Sequence, residues 1–355
     1  MAGEIKFDEP GLNPRAGNPS GGIVETYLSG TRQKMLLLLA LTGLMGGIAV
    51  YSIAMGAYAI PLWDVLAALS GKITGPAGVV ITSIRLPRVV AAMVCGWGLS
   101  VSGLCLQSVL KNPLGSPATL GISQGAAFGA ALSIVVFGAK LFSVTTFAFA
   151  GAMGAMFIIL ILAGIKRLAP EAVILTGVAL SALFSSATAL IQYLATEIQL
   201  AIVIFWTFGD VGRSNWREIL ILSGVTAAVT LYLMARRWDL NAMMLGEDNA
   251  KGLGVNVERT RIISLLAVSL ICALATAFHG VIAFVGLIAP HISRKLVGED
   301  HGILIPFSSV IGALILLCAD TLGRVILGSG ALPVGIITSF LGAPMFLYLL
   351  IRRHP

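Results

Sequence analysis

The chain has 355 residues, of which 57% are hydrophobic and 11% charged, and its mean hydropathy is +0.96. Soluble domains carry roughly 25% charged residues, so the composition excludes a soluble enzyme, and a disordered chain would be polar instead. A polytopic helical membrane protein remains, and at ~20 residues per crossing the length accommodates about ten spans.

Residues 1–34 are polar and carry Glu4, Asp8, Glu9 and Glu25. They have neither the basic start nor the apolar core of a signal peptide and read as a flexible cytoplasmic N-terminal tail. Apolar stretches follow at 35–60, 87–110, 118–138, 142–165, 172–195, 218–235, 261–280, 281–296, 303–323 and 334–351. Lipid offers the backbone no hydrogen-bond partner, so each must be a helix. The run 198–208 makes only ~17 Å of helix against a ~30 Å hydrocarbon core and reads as an interfacial segment. Residues 262–290 fit either one long tilted helix or two helices meeting near His279-Gly280. With ten spans and both termini cytoplasmic, 16 of the 23 Lys and Arg lie inside; with nine the split is 13 to 10. The positive-inside rule selects ten. The same asymmetry accounts for the net charge of +7, so no nucleic-acid partner is called for.

Gly121, Gly125 and Gly129 share a helical face, as close helix packing in lipid requires. Pro290, Pro333 and Pro344 and the split spans suggest a transporter core. Gly121-Ile122-Ser123-Gln124-Gly125 matches the GxSxG pattern of serine hydrolases, but no strand precedes it, so packing is the simpler reading. An intramembrane serine protease using Ser123 stays open as an alternative. No phosphate-binding loop occurs, so ATP hydrolysis is not expected of this chain. The four cysteines form no CxxC pair and the four histidines are scattered, so no metal or cofactor site is expected.

Glu171, Glu197, Asp210 and Asp320 lie near span ends rather than deep in the bilayer, where an ion-coupled secondary transporter, the other alternative, would want them. Asp320 and Arg324 are spaced for an i, i+4 ion pair. Arg85-Leu86-Pro87-Arg88 opens the second expected span, where two cations oppose the helix dipole unless an anion compensates them. The 236–260 loop reads as two short cytoplasmic helices: Leu240, Met243 and Met244 share one face, Gly246 ends that turn, and Asp248 can cap a second helix with Ala250 and Leu253 as its apolar contacts. Such stripes suit a partner-binding surface.

Taken together, Arg85-Leu86-Pro87-Arg88, Gly103 with Gln107, Asn112-Pro113-Leu114, Leu120-Gly121-Ile122-Ser123, Leu245-Gly246-Glu247, Leu253-Gly254-Val255, Phe284-Val285-Gly286, Pro290-His291, Asp300-His301 and Leu341-Gly342-Ala343-Pro344 resemble the FecCD-type permeases of ABC importers for iron-siderophores, haem and cobalamin. The resemblance spans residues 35–353. It implies an all-α, type II ABC importer permease of a prokaryotic plasma (inner) membrane, working as a homodimer with two ATPase subunits that hold ATP-Mg and an extracytoplasmic substrate-binding protein. By likeness, Leu245, Gly246, Glu247, Ala250, Leu253, Gly254 and Val255 belong to the coupling helices that meet the ATPase. Arg85, Arg88 and Arg324 match positions that meet glutamates of the binding protein, which would supply the missing anion. The pathway falls to spans five and ten, with Ser181, Ser185, Ser186, Thr188 and Gln192 on the fifth. An iron chelate is the expected cargo, a corrinoid the next.

Overall fold

A computed structural model describes residues 19–56, 60–71, 75–166, 168–326 and 332–351. The chain divides into two compact units, Met1–Ala40 and Leu41–Pro355; α1 begins in the first, and every side-chain contact described below lies in the second. Among the described residues the regular structure is helical throughout: α1 (Pro19–Ala54), α2 (Leu62–Leu69), α3 (Pro76–Val79), α4 (Leu86–Val109), α5 (Ile122–Leu132), α6 (Leu141–Gly164), α7 (Pro170–Leu194) and α8 (Glu197–Thr207) come first. Then come α9 (Trp216–Ala235), α10 (Arg237–Met244), α11 (Glu247–Gly252), α12 (Val257–His279), α13 (Val285–Val297), α14 (His301–Ile326) and α15 (Val334–Ile351).

Each of the ten expected spans coincides with a helix. Among the described residues seven helices are long and apolar enough to cross a bilayer, whereas α13, with 13 residues, makes only ~20 Å of helix. The 262–290 ambiguity resolves as two helices. Gly280 takes φ 77°, a left-handed geometry that ends α12 at His279, and Phe284 at φ 66° precedes α13. The tail expectation needs correction, because α1 reaches back to Pro19; residues 1–18 lie outside the described residues. Residues 198–208 form a short helix as expected, α8, started by a capping box between Thr196 and Gln199. Asn215 and Asn256 cap α9 and α12 by a one-way bond, through side-chain oxygens that accept from Glu218 N and Arg259 N.

The centre of the second unit is the antiparallel pair α4 and α14. Gly96 lies against the Gly312 carbonyl, and Ser100 Oγ donates to Ser308 O at 2.7 Å. Two turns from Gly96 on the same face of α4, a Cβ at Gly103 would overlap the Gly286 carbonyl of α13. Gly125 and Gly129 face Gly151 and Phe147 of α6, which is the close packing their spacing implies. Ser123, on a different side of α5 from Gly125 and Gly129, is buried as well.

Candidate functional site

The α4–α14 pair has a polar cluster at each end, and the two clusters are built differently. One gathers the three arginines singled out in the sequence. The second expected span does not begin at Arg85: α3 and a π-helical turn, Val80–Arg85, carry the helix back to Pro76. The wider turn accommodates Pro87, whose ring cannot fit under a regular i−4 carbonyl. The arginines therefore do not stand at a bare helix N-terminus.

Nor do they lack an anion. Asp320, fully buried, accepts from Arg88 Nε and lies 2.8 Å from Arg88 Nη2, while Arg324 Nε sits 3.1 Å from its other oxygen. Asp210 is 3.6 Å from Arg88 as well. Arg85 donates to Ile53 O and Ala54 O at 2.7 and 2.9 Å, and Arg324 to Ser52 O at 2.8 Å and to Ser52 Oγ. These acceptors belong to the last turn of α1, whose carbonyls have no partner within the helix and carry its negative dipole end. The expectation of guanidinium groups awaiting an outside anion is thus corrected. The compensation is internal, and the i, i+4 pairing of Asp320 with Arg324 is part of it. Arg213 and Arg217, on the segment just after Asp210, are exposed.

The opposite end carries α10 and α11. Gly246, at φ 118°, separates them and is itself the N-cap of α11, so Asp248 lies in the first turn rather than at the cap. Leu240, Met243 and Ala250 are buried against the protein, so the shared face points inward and Ala250 cannot touch a partner. The apolar side chains that project include Leu245 and Leu253, 64% and 66% exposed, and Trp238 at the start of α10 is exposed as well. Gly254 is exposed and Val255 half-buried.

Two polar braces fix this pair of helices. Glu247 Oε1 lies 2.5 Å from Arg261 Nη2, and Arg261 is 2% exposed. Asn241 Nδ2 donates to Asp300 Oδ1 at 2.9 Å, and its Oδ1 accepts from His301 N at 3.0 Å and lies 2.6 Å from His301 Nδ1. A carboxylate only accepts, so Asp300 sets the Asn241 amide orientation, and His301 Nδ1 must then carry the proton. His301 Nε2 is left as the acceptor facing Ser108 Oγ, 2.6 Å away. Ser108, His301 and Asn241 therefore stand in the order of a nucleophile relay, but all three close a helix contact. Ser108 and His301 are buried, and Leu104 O, 2.9 Å from Ser108 Oγ, competes with His301 Nε2 for the single hydroxyl proton. Alongside, Arg294 of α13 bonds Gln107 of α4. Asp300, beyond the spans, has its carboxyl held below the usual range, mainly by the Asn241 hydrogen bond.

The residues expected on the pathway separate. Ser185 and Ser186 are exposed on α7 and Gln192 is half-buried, but Thr188 is buried and bonds Phe184 O, and Ser181 bonds Gly177 O against Gly121. A cleft of about 580 Å³ runs between Thr207, Phe208, Val281 and Ala283 on one side and Ser339 and Phe340 of α15 on the other. Asn241, Arg261, His301 and Ser52 were not marked as site residues in the sequence. Arg261 had a signal nonetheless, a cation inside the first turns of an apolar helix, where the dipole disfavours it.

The all-α core of glycine-packed helices, with short braced helices at one end, has the architecture of a type II ABC importer permease. The chain belongs to the FecCD transport family, which it matches over residues 38–352. It is 46% identical over 344 residues to an ABC transporter permease protein of Methanocaldococcus jannaschii, covering 94% of this chain and 99% of that one. It is 37% identical over 277 residues to the vitamin B12 import system permease protein of Vibrio cholerae, covering 77% and 83%. Among solved structures it resembles an inward-facing conformation of a metal-chelate type ABC transporter with a TM-score of 0.78 and 32% identity, over 90% of this chain and 100% of the other.

Proposed function

We propose that this chain is the membrane-spanning half of a binding-protein-dependent ABC importer that carries a metal chelate into a prokaryotic cytoplasm by ATP-driven alternating access. Two copies pair along α7 and α15, two ATPase subunits sit on α10–α11, and a substrate-binding protein lands on the arginine end. The observation that carries this is the form of α10–α11: two exposed leucines on short helices that are tied into the permease by buried polar contacts. A loop without a partner needs neither the leucines nor the ties. Iron chelates are the first choice of cargo and a corrinoid the second. Beyond Glu171 in its first turn, the exposed side of α7 offers Ser185 and Ser186 and no fixed charge, which suits a bulky chelate that must pass without being held.

Docking at the arginine end follows a modified scheme. Carboxylates of an incoming protein meet Arg88 or Arg324 only by competing with Asp320, while Arg213 and Arg217 are open to them from the start. The test is affinity purification of the chain from its native membrane. An ATPase subunit with a phosphate-binding loop should copurify, and Leu253→Asp should abolish both its retention and coupled uptake. Retention and uptake unchanged in that variant would overturn the assignment.

A further inference from the structure

We infer that Arg261 is the positioning residue through which displacement of α10–α11 reaches the turn that starts α7; the inference rests on α10–α11 being the ATPase contact. Arg261 lies in the second turn of α12, buried, where a helix N-terminus repels a cation and burial removes its water. It is held there by three partners from three different elements. Nη2 meets Glu247, the first residue of α11; Nε donates to Val109 O, at the end of α4, at 3.2 Å; and Nη1 donates to Leu168 O at 2.8 Å. One side chain thus joins α11, α4 and the α6–α7 turn.

The turn has little slack. Leu168 is buried with φ 54°, a geometry that L side chains rarely adopt, and its N–H donates to Ala163 O at 2.9 Å. Ala169 and Pro170 follow at once as the N-cap and first residue of α7, and Val173 N closes on Ala169 O at 3.1 Å. A shift of the Leu168 carbonyl is therefore a shift of the first turn of α7. The guanidinium is planar, with donors in a fixed fork, so drawing Glu247 aside turns the whole fork and changes its bonds to Leu168 and Val109 together. Glu247 is 38% exposed in its side chain and sits beside the projecting Leu245, within reach of whatever moves the loop. The second brace, Asn241 with His301 and Asp300, leads to α14 and α4 and makes no recorded bond to the α6–α7 turn, which makes it the control.

The experiment uses the full chain in lipid nanodiscs, first alone and then with its copurifying ATPase subunit, and follows hydrogen exchange at Leu168–Val173. In the chain alone, Glu247→Gln and Arg261→Lys should each speed exchange at this turn about tenfold, the size of one lost charge-assisted bond. Asn241→Ala should leave it unchanged. With the ATPase, ATP plus vanadate should alter exchange at this turn in the parent chain and in Asn241→Ala but not in Glu247→Gln. Exchange at the turn unaffected by Glu247→Gln in the chain alone would overturn the wiring. A chain that shows the expected exchange pattern alone but retains no ATPase would overturn the coupling reading and leave the contact standing.

Discussion

Removing the Asp320 carboxylate isolates the largest electrostatic element of the arginine end. Asp320 is fully buried and is the shared counter-ion of Arg88 and Arg324, at 2.8 and 3.1 Å. Deleting one partner of a buried pair costs about 3–5 kcal/mol because the other charge is left without compensation. Here two guanidinium groups are stranded, but Asp210 stays 3.6 Å from Arg88, and the arginine side chains keep 14% and 10% exposure to water. Asp320→Ala should therefore fall near the lower end, about 3 kcal/mol, or on the order of a hundredfold in the unfolding equilibrium. Asp320→Asn, which retains the shape and some hydrogen bonding, should cost about 1.5–3 kcal/mol. The assay is reversible unfolding by sodium dodecyl sulfate in mixed micelles, followed by far-ultraviolet circular dichroism. Hydrogen exchange at Ser52–Met55 reports the α1 end, which Arg324 also holds. Asp320→Ala combined with Arg88→Met should be more stable than Asp320→Ala alone, since one of the two stranded charges is gone and only Arg324 is left without its partner. An Asp320→Ala protein within about 0.5 kcal/mol of the parent, the range of ordinary surface changes, would refute the reasoning.

Gly103→Ala should destabilise by about 1–3 kcal/mol in the same unfolding titration, because the added methyl overlaps the backbone of Gly286, which cannot rotate away. Gly154→Ala on α6, where nothing stands within 4 Å, should be neutral or slightly stabilising. Asp300 has a depressed pKa in the folded chain, so its contribution is present above its unfolded value, about pH 4, and is lost as pH falls through the folded value. Trp238 fluorescence should accordingly report loosening of α10 in acid, and Asn241→Ala should flatten that dependence. Ser123→Ala should leave uptake intact, since Ser123 is a packing residue in α5; loss of a proteolytic activity in that variant would instead support the protease alternative.

The helices were legible in the sequence because lipid leaves apolar runs no other structure, and the break at His279-Gly280 was legible through charge asymmetry across the spans. That same division recurs in space. Arg236, Arg261 and Arg294 cluster toward α10, while Arg85, Arg88 and Arg324 lie at the far end of α4 and α14. Local pairing was visible too: Asp320 with Arg324 is an i, i+4 contact. The pairing of Arg88 with Asp320 was not, since its partners are 232 residues apart and meet only through helix packing. Ala250 looked like a partner contact because α11, at 6 residues, is too short for periodicity to show which side faces in. Thr188 and Ser181 looked like pathway groups because composition does not reveal which hydroxyls turn back onto their own helix. Arg261 was hidden among arginines that positive-inside counting already explained.

The central claim is that this chain transports only when driven by a separate ATPase, and reconstituted uptake tests it most directly. Proteoliposomes holding the chain with its copurifying ATPase and binding protein, given ferric siderophore, haem or cobalamin as probes, should concentrate one of them only when ATP is present on the α10–α11 side. Vesicles holding the chain alone should concentrate none of them under any ion gradient, and uphill accumulation there would contradict the account.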